Sequence, residues 1–185
     1  MAALGEARLF ELLESDGPAI ATGAPSAVSS GAVAELVERA AWAKVAVVVA
    51  DEHEAAGRIA LNLGHSVGHA VEAAAGFRDL RHGEAVALGL RAAARIGVSV
   101  GVTPPERADR IERLLDLLGL ASTAPALGLD VVLDHLRVDK KHAGGALRWV
   151  LPTASGNEVR TDVPEALVRD VVGGLLASAA VGGAR

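Results

Sequence analysis

The sequence predicts a mainly α-helical domain, a helical bundle carrying one small β-hairpin. Three observations lead there. Ala, Leu, Val, Glu and Arg dominate, and apolar residues recur at helical spacing through most of the chain. Gly76 and Gly119 close such runs, whereas Pro104, Pro105 and Pro164 open them. Only around Thr153–Asn157 does the character change to short extended runs.

The elements follow in order. Leu4–Ser15 has the pattern of a short amphipathic helix. Asp16–Gly31 is rich in Gly, Pro, Ser and Ala and reads as a loop. Ala32–Glu54 is expected to be one long helix. Its β-branched stretch Val45–Val49 resembles a strand, but a strand there would stand alone among helices. Leu63–Ala75 is a helix ended by Gly76. Gly83–Val100 is a very apolar helix and so belongs at the centre. Pro104 and Pro105 start a helix that runs to Leu118, with Gly119 as its stop. Val131–Val138 is a short helix before Asp139-Lys140-Lys141. Leu147–Leu151 and Glu158–Asp162 flank a turn and form the hairpin, and Pro164 starts the last helix, which frays from Val181.

Composition bounds the function. The chain has 185 residues, enough for one domain with a real core. Hydrophobic residues make up 51% and the mean hydropathy is +0.34, values that suit a domain burying surface against a partner domain or subunit. The longest apolar stretch, Val171–Ala184, falls short of a membrane-spanning helix, so no membrane span is expected. No secretory leader is apparent in Met1–Phe10, and the cytoplasm is the expected compartment. The net charge of −5 argues against a nucleic-acid partner. Cysteine is absent, so any metal must be held by His, Asp or Glu. Of 18 basic residues only Lys44, Lys140 and Lys141 are lysines. Chance codon usage explains that as well as a need for compact point charges at an anion.

The chemistry concentrates between Lys44 and His82. His65 and His69 lie four residues apart in a helical stretch and therefore share one face. His82 follows the break at Gly76–Arg81, where the chain can fold back toward that face. Two imidazoles from one helix and a third from the next turn are a plausible metal site, and spacing alone makes all three ligands. Gly64 and Gly68 precede the first two histidines. Glycine within a helix costs roughly 1 kcal/mol against alanine, so either a ligand or a neighbouring backbone comes close there, or helices pack tightly. Glu54, Arg58 and Asn62 repeat the four-residue spacing. If the helix runs on from Glu54, they form one stripe with His65 and His69, either a solvated face or, as the mix of groups favours, a substrate-binding wall.

The stretch from Arg58 through Gly64-His-Ser-Val-Gly-His69 to Glu72, then His82-Gly-Glu84, then Asp139-Lys-Lys141 before a hairpin, resembles 3-dehydroquinate synthase. The upstream Lys44 and Asp51-Glu52-His53-Glu54 fit the same pattern, and the resemblance runs from about Ala3 to about Leu175. It implies the carboxy-terminal helical domain of that fold. It implies Zn2+ or Co2+ held by His65 and His82, with His69 handling protons rather than ligating. It further implies Glu54 as proton acceptor and Lys44 and Arg58 at the substrate carboxylate, with Asn62, Lys140 and Lys141 near the phosphate. The substrate implied is a small phosphorylated sugar acid, 3-deoxy-arabino-heptulosonate 7-phosphate, converted to 3-dehydroquinate and phosphate in the shikimate pathway by transient oxidation with NAD. The family's amino-terminal NAD-binding domain and its third metal ligand, a Glu, have no counterpart in residues 1–185. The expectation is therefore a chain with a partial metal site and no turnover alone, working as a homodimer or paired with an NAD-binding half. A secondary-metabolism sugar-phosphate cyclase and a non-catalytic module that binds a synthase subunit are the alternatives.

Overall fold

A computed structural model describes residues 1, 3, 5–50, 58–78, 80–120, 126–142 and 146–182; for residues 29, 58, 139–142 and 179–182 it describes the backbone alone. In chain order the elements are α1 (Ala7–Ala21), α2 (Pro25–Ser29), α3 (Ala32–Ala50), a 3₁₀ turn (Arg58–Asn62), α4 (His65–Ala74), α5 (His82–Ser99), α6 (Pro105–Leu117), α7 (Leu129–His142), β1 (Trp149–Pro152), β2 (Asn157–Arg160) and α8 (Glu165–Gly182). The mainly helical class with one antiparallel hairpin is as expected, the pairing running from Trp149 opposite Arg160 to Pro152 opposite Asn157. No helix among the described residues is long and apolar enough to cross a membrane.

Helix α5 is the axle. Its residues Ala85, Leu88, Ala92 and Ile96 are buried, and α4, α6, α8 and β1 pack around it. One apolar cluster joins α4, α5, α7, β1 and α8 through Val71, Ile96, Val132, Leu151 and Val172. A second, on the other side, joins α1 and α6 through Leu9, Phe10, Ile111 and Leu115, with Ala87 reaching it from α5. Burial of each Leu or Ile at these positions is worth about 1.5–3 kcal/mol, which makes α5 the element the domain is assembled on.

Several boundaries differ from the sequence expectation. The N-terminal helix begins at Ala7, where the Glu6 carboxylate caps it by accepting the Leu9 N–H. It then runs through Pro18 to Ala21, so the expected Asp16–Gly31 loop is largely helical. Pro18 removes one hydrogen bond near the end of α1, and the half-buried Pro18, Ala19 and Ile20 sustain the turn. Pro25 sits in the first turn of α2, where its missing N–H costs nothing. Helix α7 also outruns its expected span, carrying Asp139-Lys140-Lys141 in its final turns. Neither Gly nor Pro interrupts the chain between Val138 and Ala143, so nothing stops the hydrogen-bond ladder there.

Helix α3 is the outlier in burial. Ala32 is its buried residue, whereas Val37, Trp42, Val45 and Val49 are exposed, Trp42 by 65%. The high hydrophobic share of the sequence is thus partly displayed rather than packed.

A single buried hydroxyl ties the hairpin to the bundle. Thr103, in the α5–α6 connection, donates its hydroxyl to the Pro152 carbonyl at the end of β1, at 2.5 Å. Thr103→Val keeps the shape and orphans that buried carbonyl. A loss of about 1–3 kcal/mol is expected, read as a lower denaturation midpoint with unchanged slope; an unchanged midpoint would show that water reaches the site.

Candidate metal centre

The centre is built by the α4–α5 hairpin, and glycine sets its closeness. Gly64 takes the left-handed conformation at φ 79° and turns the chain from the 3₁₀ segment into α4. Between Arg58 and His65 the chain is therefore a 3₁₀ turn and a left-handed glycine, so the condition for one helical stripe with Asn62, a helix running on to His65, is not met there. The first turn of α4 lies directly on α5: a Cβ built on Gly89 would stand 1.7 Å from the Gly64 carbonyl oxygen and 2.9 Å from the Gly68 nitrogen. The glycines before the histidines therefore serve backbone-to-backbone helix packing. At the other end, Gly76 closes α4 with paired hydrogen bonds, Gly76 N–H to Ala73 at 3.0 Å and Phe77 N–H to Glu72 at 3.0 Å. Chain reversal brings His82 to the first position of α5, where the Glu84 carboxylate accepts the Arg81 N–H at 2.8 Å and satisfies the new helix start.

Folded this way, His65, His69 and His82 meet. Ring centroids lie 5.3 Å apart for His65 and His69, 5.5 Å for His65 and His82, and 5.8 Å for His69 and His82. One nitrogen from each ring falls within 4.8 Å of the others. Zinc–nitrogen bonds of about 2.0–2.1 Å in a tetrahedral site put ligand nitrogens roughly 3.4 Å apart. The cluster thus has to close by at most about 1.4 Å around a metal of this size. His69 and His82 are exposed, and small side-chain adjustments supply that closure, so the donor set fits a divalent cation.

Two of the rings are engaged at Nδ1. His65 Nδ1 lies 3.1 Å from the Leu63 carbonyl, and His82 Nδ1 lies 3.0 Å from the Glu72 carboxylate. A carbonyl and a carboxylate accept, so in each ring Nδ1 is the donor and Nε2 is the nitrogen left for a metal. Among the described residues His69 has no such partner. Burial pushes the His65 pKa below its ordinary value, with the neighbouring histidines adding to the effect, which favours the neutral form that ligates.

A cavity of about 690 Å³ adjoins the centre at His65. Lys44 from α3, Asn62 from the 3₁₀ turn and Arg148 before β1 are the other polar side chains on its wall, against apolar residues such as Phe10, Leu90 and Ile111. No carboxylate lines it among the described residues. Of the residues singled out from sequence, the structure therefore gathers Lys44, Asn62 and His65 around one cavity, and places His69 and His82 against His65. Glu54 lies outside the described residues. Arg58, Lys140 and Lys141 are placed by backbone only, in the 3₁₀ turn and in α7. Sequence reasoning missed Arg148, which is more than 60 residues beyond the last of the three histidines and part of no spaced pattern. It also passed over the side chain of Glu72, although Glu72 continues the His65–His69 face by three residues.

Residues 1–142 match the family model described as 3-dehydroquinate synthase C-terminal. The chain is 36% identical over 171 residues to 3-dehydroquinate synthase of Colwellia psychrerythraea, covering 91% of this chain and 47% of that one. It is 41% identical over 161 residues to the enzyme of the same name from Synechococcus sp. (strain CC9605), covering 86% and 43%. Among solved structures it is similar to ValA, a 2-epi-5-epi-valiolone synthase from Streptomyces hygroscopicus subsp. jinggangensis 5008 with NAD+ and Zn2+ bound. That match has a TM-score of 0.77 at 25% identity, over 95% of this chain and 48% of the other. The chain spans about half the length of the curated relatives it matches.

Proposed function

Because the chain belongs to the 3-dehydroquinate synthase C-terminal family, we propose that it forms the metal- and substrate-binding half of a 3-dehydroquinate synthase. The reaction on this reading converts 3-deoxy-arabino-heptulosonate 7-phosphate to 3-dehydroquinate and phosphate, within the shikimate pathway. The observation that carries it is the histidine cluster opening, through His65, onto a cavity with two cations, an amide and no carboxylate on its described wall. Such a wall favours a small anionic, hydroxylated ligand beside a metal.

His65 and His82 are the proposed ligands for Zn2+ or Co2+, because metal-bound imidazoles characteristically donate their other ring N–H to a carbonyl or carboxylate, and these two do. When bound, such a metal supplies Lewis-acid polarisation of a substrate hydroxyl. His69, with neither ring nitrogen engaged by a described residue, is left to pass a proton. Glu54 is proposed as a second proton acceptor. Lys44 and Arg58 hold the substrate carboxylate, and Asn62 with Lys140 or Lys141 holds its phosphate; Arg148 adds a planar donor fork to the same wall. NAD is assigned to an amino-terminal half that this chain pairs with, and a homodimer of such pairs is the proposed assembly.

Mixing the chain with the separately produced amino-terminal half of a 3-dehydroquinate synthase, with NAD and Zn2+, tests the reading. The chain alone is expected to release no phosphate from the heptulosonate, and the mixture is expected to release it. Failure of the mixture, when both halves associate, would overturn the assignment. The likeness to ValA, a 2-epi-5-epi-valiolone synthase, favours a second reading, a related secondary-metabolism cyclase acting on another phosphorylated sugar. Preferential turnover of such a sugar by the same mixture would select it.

A further inference from the structure

We propose that Glu72 is the positioning residue of the metal centre, orienting the His82 ring so that its Nε2 faces His65 and His69. The inference rests on the metal reading above and adds a residue to it. Glu72 stands on α4 three residues after His69 and seven after His65, which puts all three on one face of that helix. The antiparallel packing then sets what it meets. Gly64 lies against Gly89 and Gly68 against Ala85 and Val86, so four residues further along α4 the facing position on α5 is His82.

The contact is asymmetric in exposure. The Glu72 side chain is 17% exposed, whereas that of His82 is 56% exposed. A largely buried carboxylate is the fixed member, and the ring at the open end of α5 is the one being held. Glu72 is fixed twice. Its backbone carbonyl takes the Phe77 N–H in the turn that ends α4, and its carboxylate takes the His82 Nδ1–H at 3.0 Å. One residue thus anchors both the reversal that delivers His82 and the ring itself. The two nitrogens of an imidazole point away from each other, so a ring held at Nδ1 presents Nε2 to the cluster. An ordinary surface ion pair would require none of this.

The test uses the full chain and Co2+ alone as the probe. Wild type, Glu72→Gln and Glu72→Ala are compared by chelator competition and by the visible absorption of bound Co2+. The alanine variant is expected to bind about 10–100-fold more weakly, with an altered spectrum. Glutamine, whose amide oxygen accepts the same N–H, is expected to recover most of the affinity. Equal affinity and spectrum in wild type and alanine variant would overturn the inference and leave the metal reading standing. No Co2+ binding by folded wild type would overturn both. Nitrogen NMR of the His82 ring in the metal-free wild type supplies a check that needs no variant: the proton is expected on Nδ1, and finding it on Nε2 would sink the proposal.

Discussion

His82→Ala and His65→Ala are each expected to weaken Zn2+ binding on the order of 1,000-fold, beyond the roughly 10–100-fold attached to losing an outer partner of a metal ligand. His69→Ala is expected to change it by less than about 10-fold, a difference of nearly 3 kcal/mol from the other two. The separation follows from the ring hydrogen bonds rather than from proximity, since all three rings are almost equally close. Competition with a chromogenic chelator reads all three variants on one scale. If His69→Ala costs as much as His82→Ala, the site is a three-histidine site and His69 is a ligand. In the reconstituted mixture the pattern should change: His69→Ala should abolish phosphate release while leaving the metal in place.

The second large effect is expected from one methyl group. Gly89→Ala places a Cβ where the Gly64 carbonyl oxygen already stands, 1.7 Å away. Backbone cannot rotate out of the way as a side chain does, so α4 must lift from α5. Overpacking in a well-packed core costs about 1–3 kcal/mol and occasionally more; this contact belongs to the upper end. For a domain of this size, about 3 kcal/mol lowers the melting midpoint by roughly 6–12 °C. Metal affinity should fall with it, because the lifted helix carries His65 and His69. Gly83→Ala, where a Cβ would meet nothing within 4 Å, is the matched control and should be near neutral. A Gly89→Ala variant that melts with wild type would show that the two helices are not in backbone contact in solution.

Much of this arrangement was legible in the sequence, and what was legible depended on local signals. Gly76 and Gly119 as stops, Pro105 in a first turn, and four-residue spacing between His65 and His69 are all resolved within one helical turn, and α4, α5 and α6 fall where they predict. The return of His82 was inferable for the same reason, since it needs only a break and a short reach. The Gly/Pro-rich stretch after Ser15 misled because composition weighs against helix at Pro18, whereas packing of neighbouring residues decides. The conditional stripe linking Arg58 and Asn62 to the histidines does not form as one helix face, because a single left-handed glycine, Gly64, resets the helical phase before His65. Arg148 was invisible for a different reason: only the folded hairpin carries it to the wall that Lys44 and Asn62 share. No spacing rule spans that separation.

The glycine contact between α4 and α5 also acts as a ruler. In most helix pairs the gap is set by side-chain volume, so a larger or smaller core residue changes it. Here the gap is set by a carbonyl oxygen resting on a bare Cα, two groups of fixed radius. The bite of the histidine cluster is therefore calibrated by backbone and not by the core. Drift at Leu88, Val71 or Ile96 can tune how stable the domain is while leaving the coordination distances untouched. The metal chemistry and the hydrophobic core are in this sense free to evolve separately.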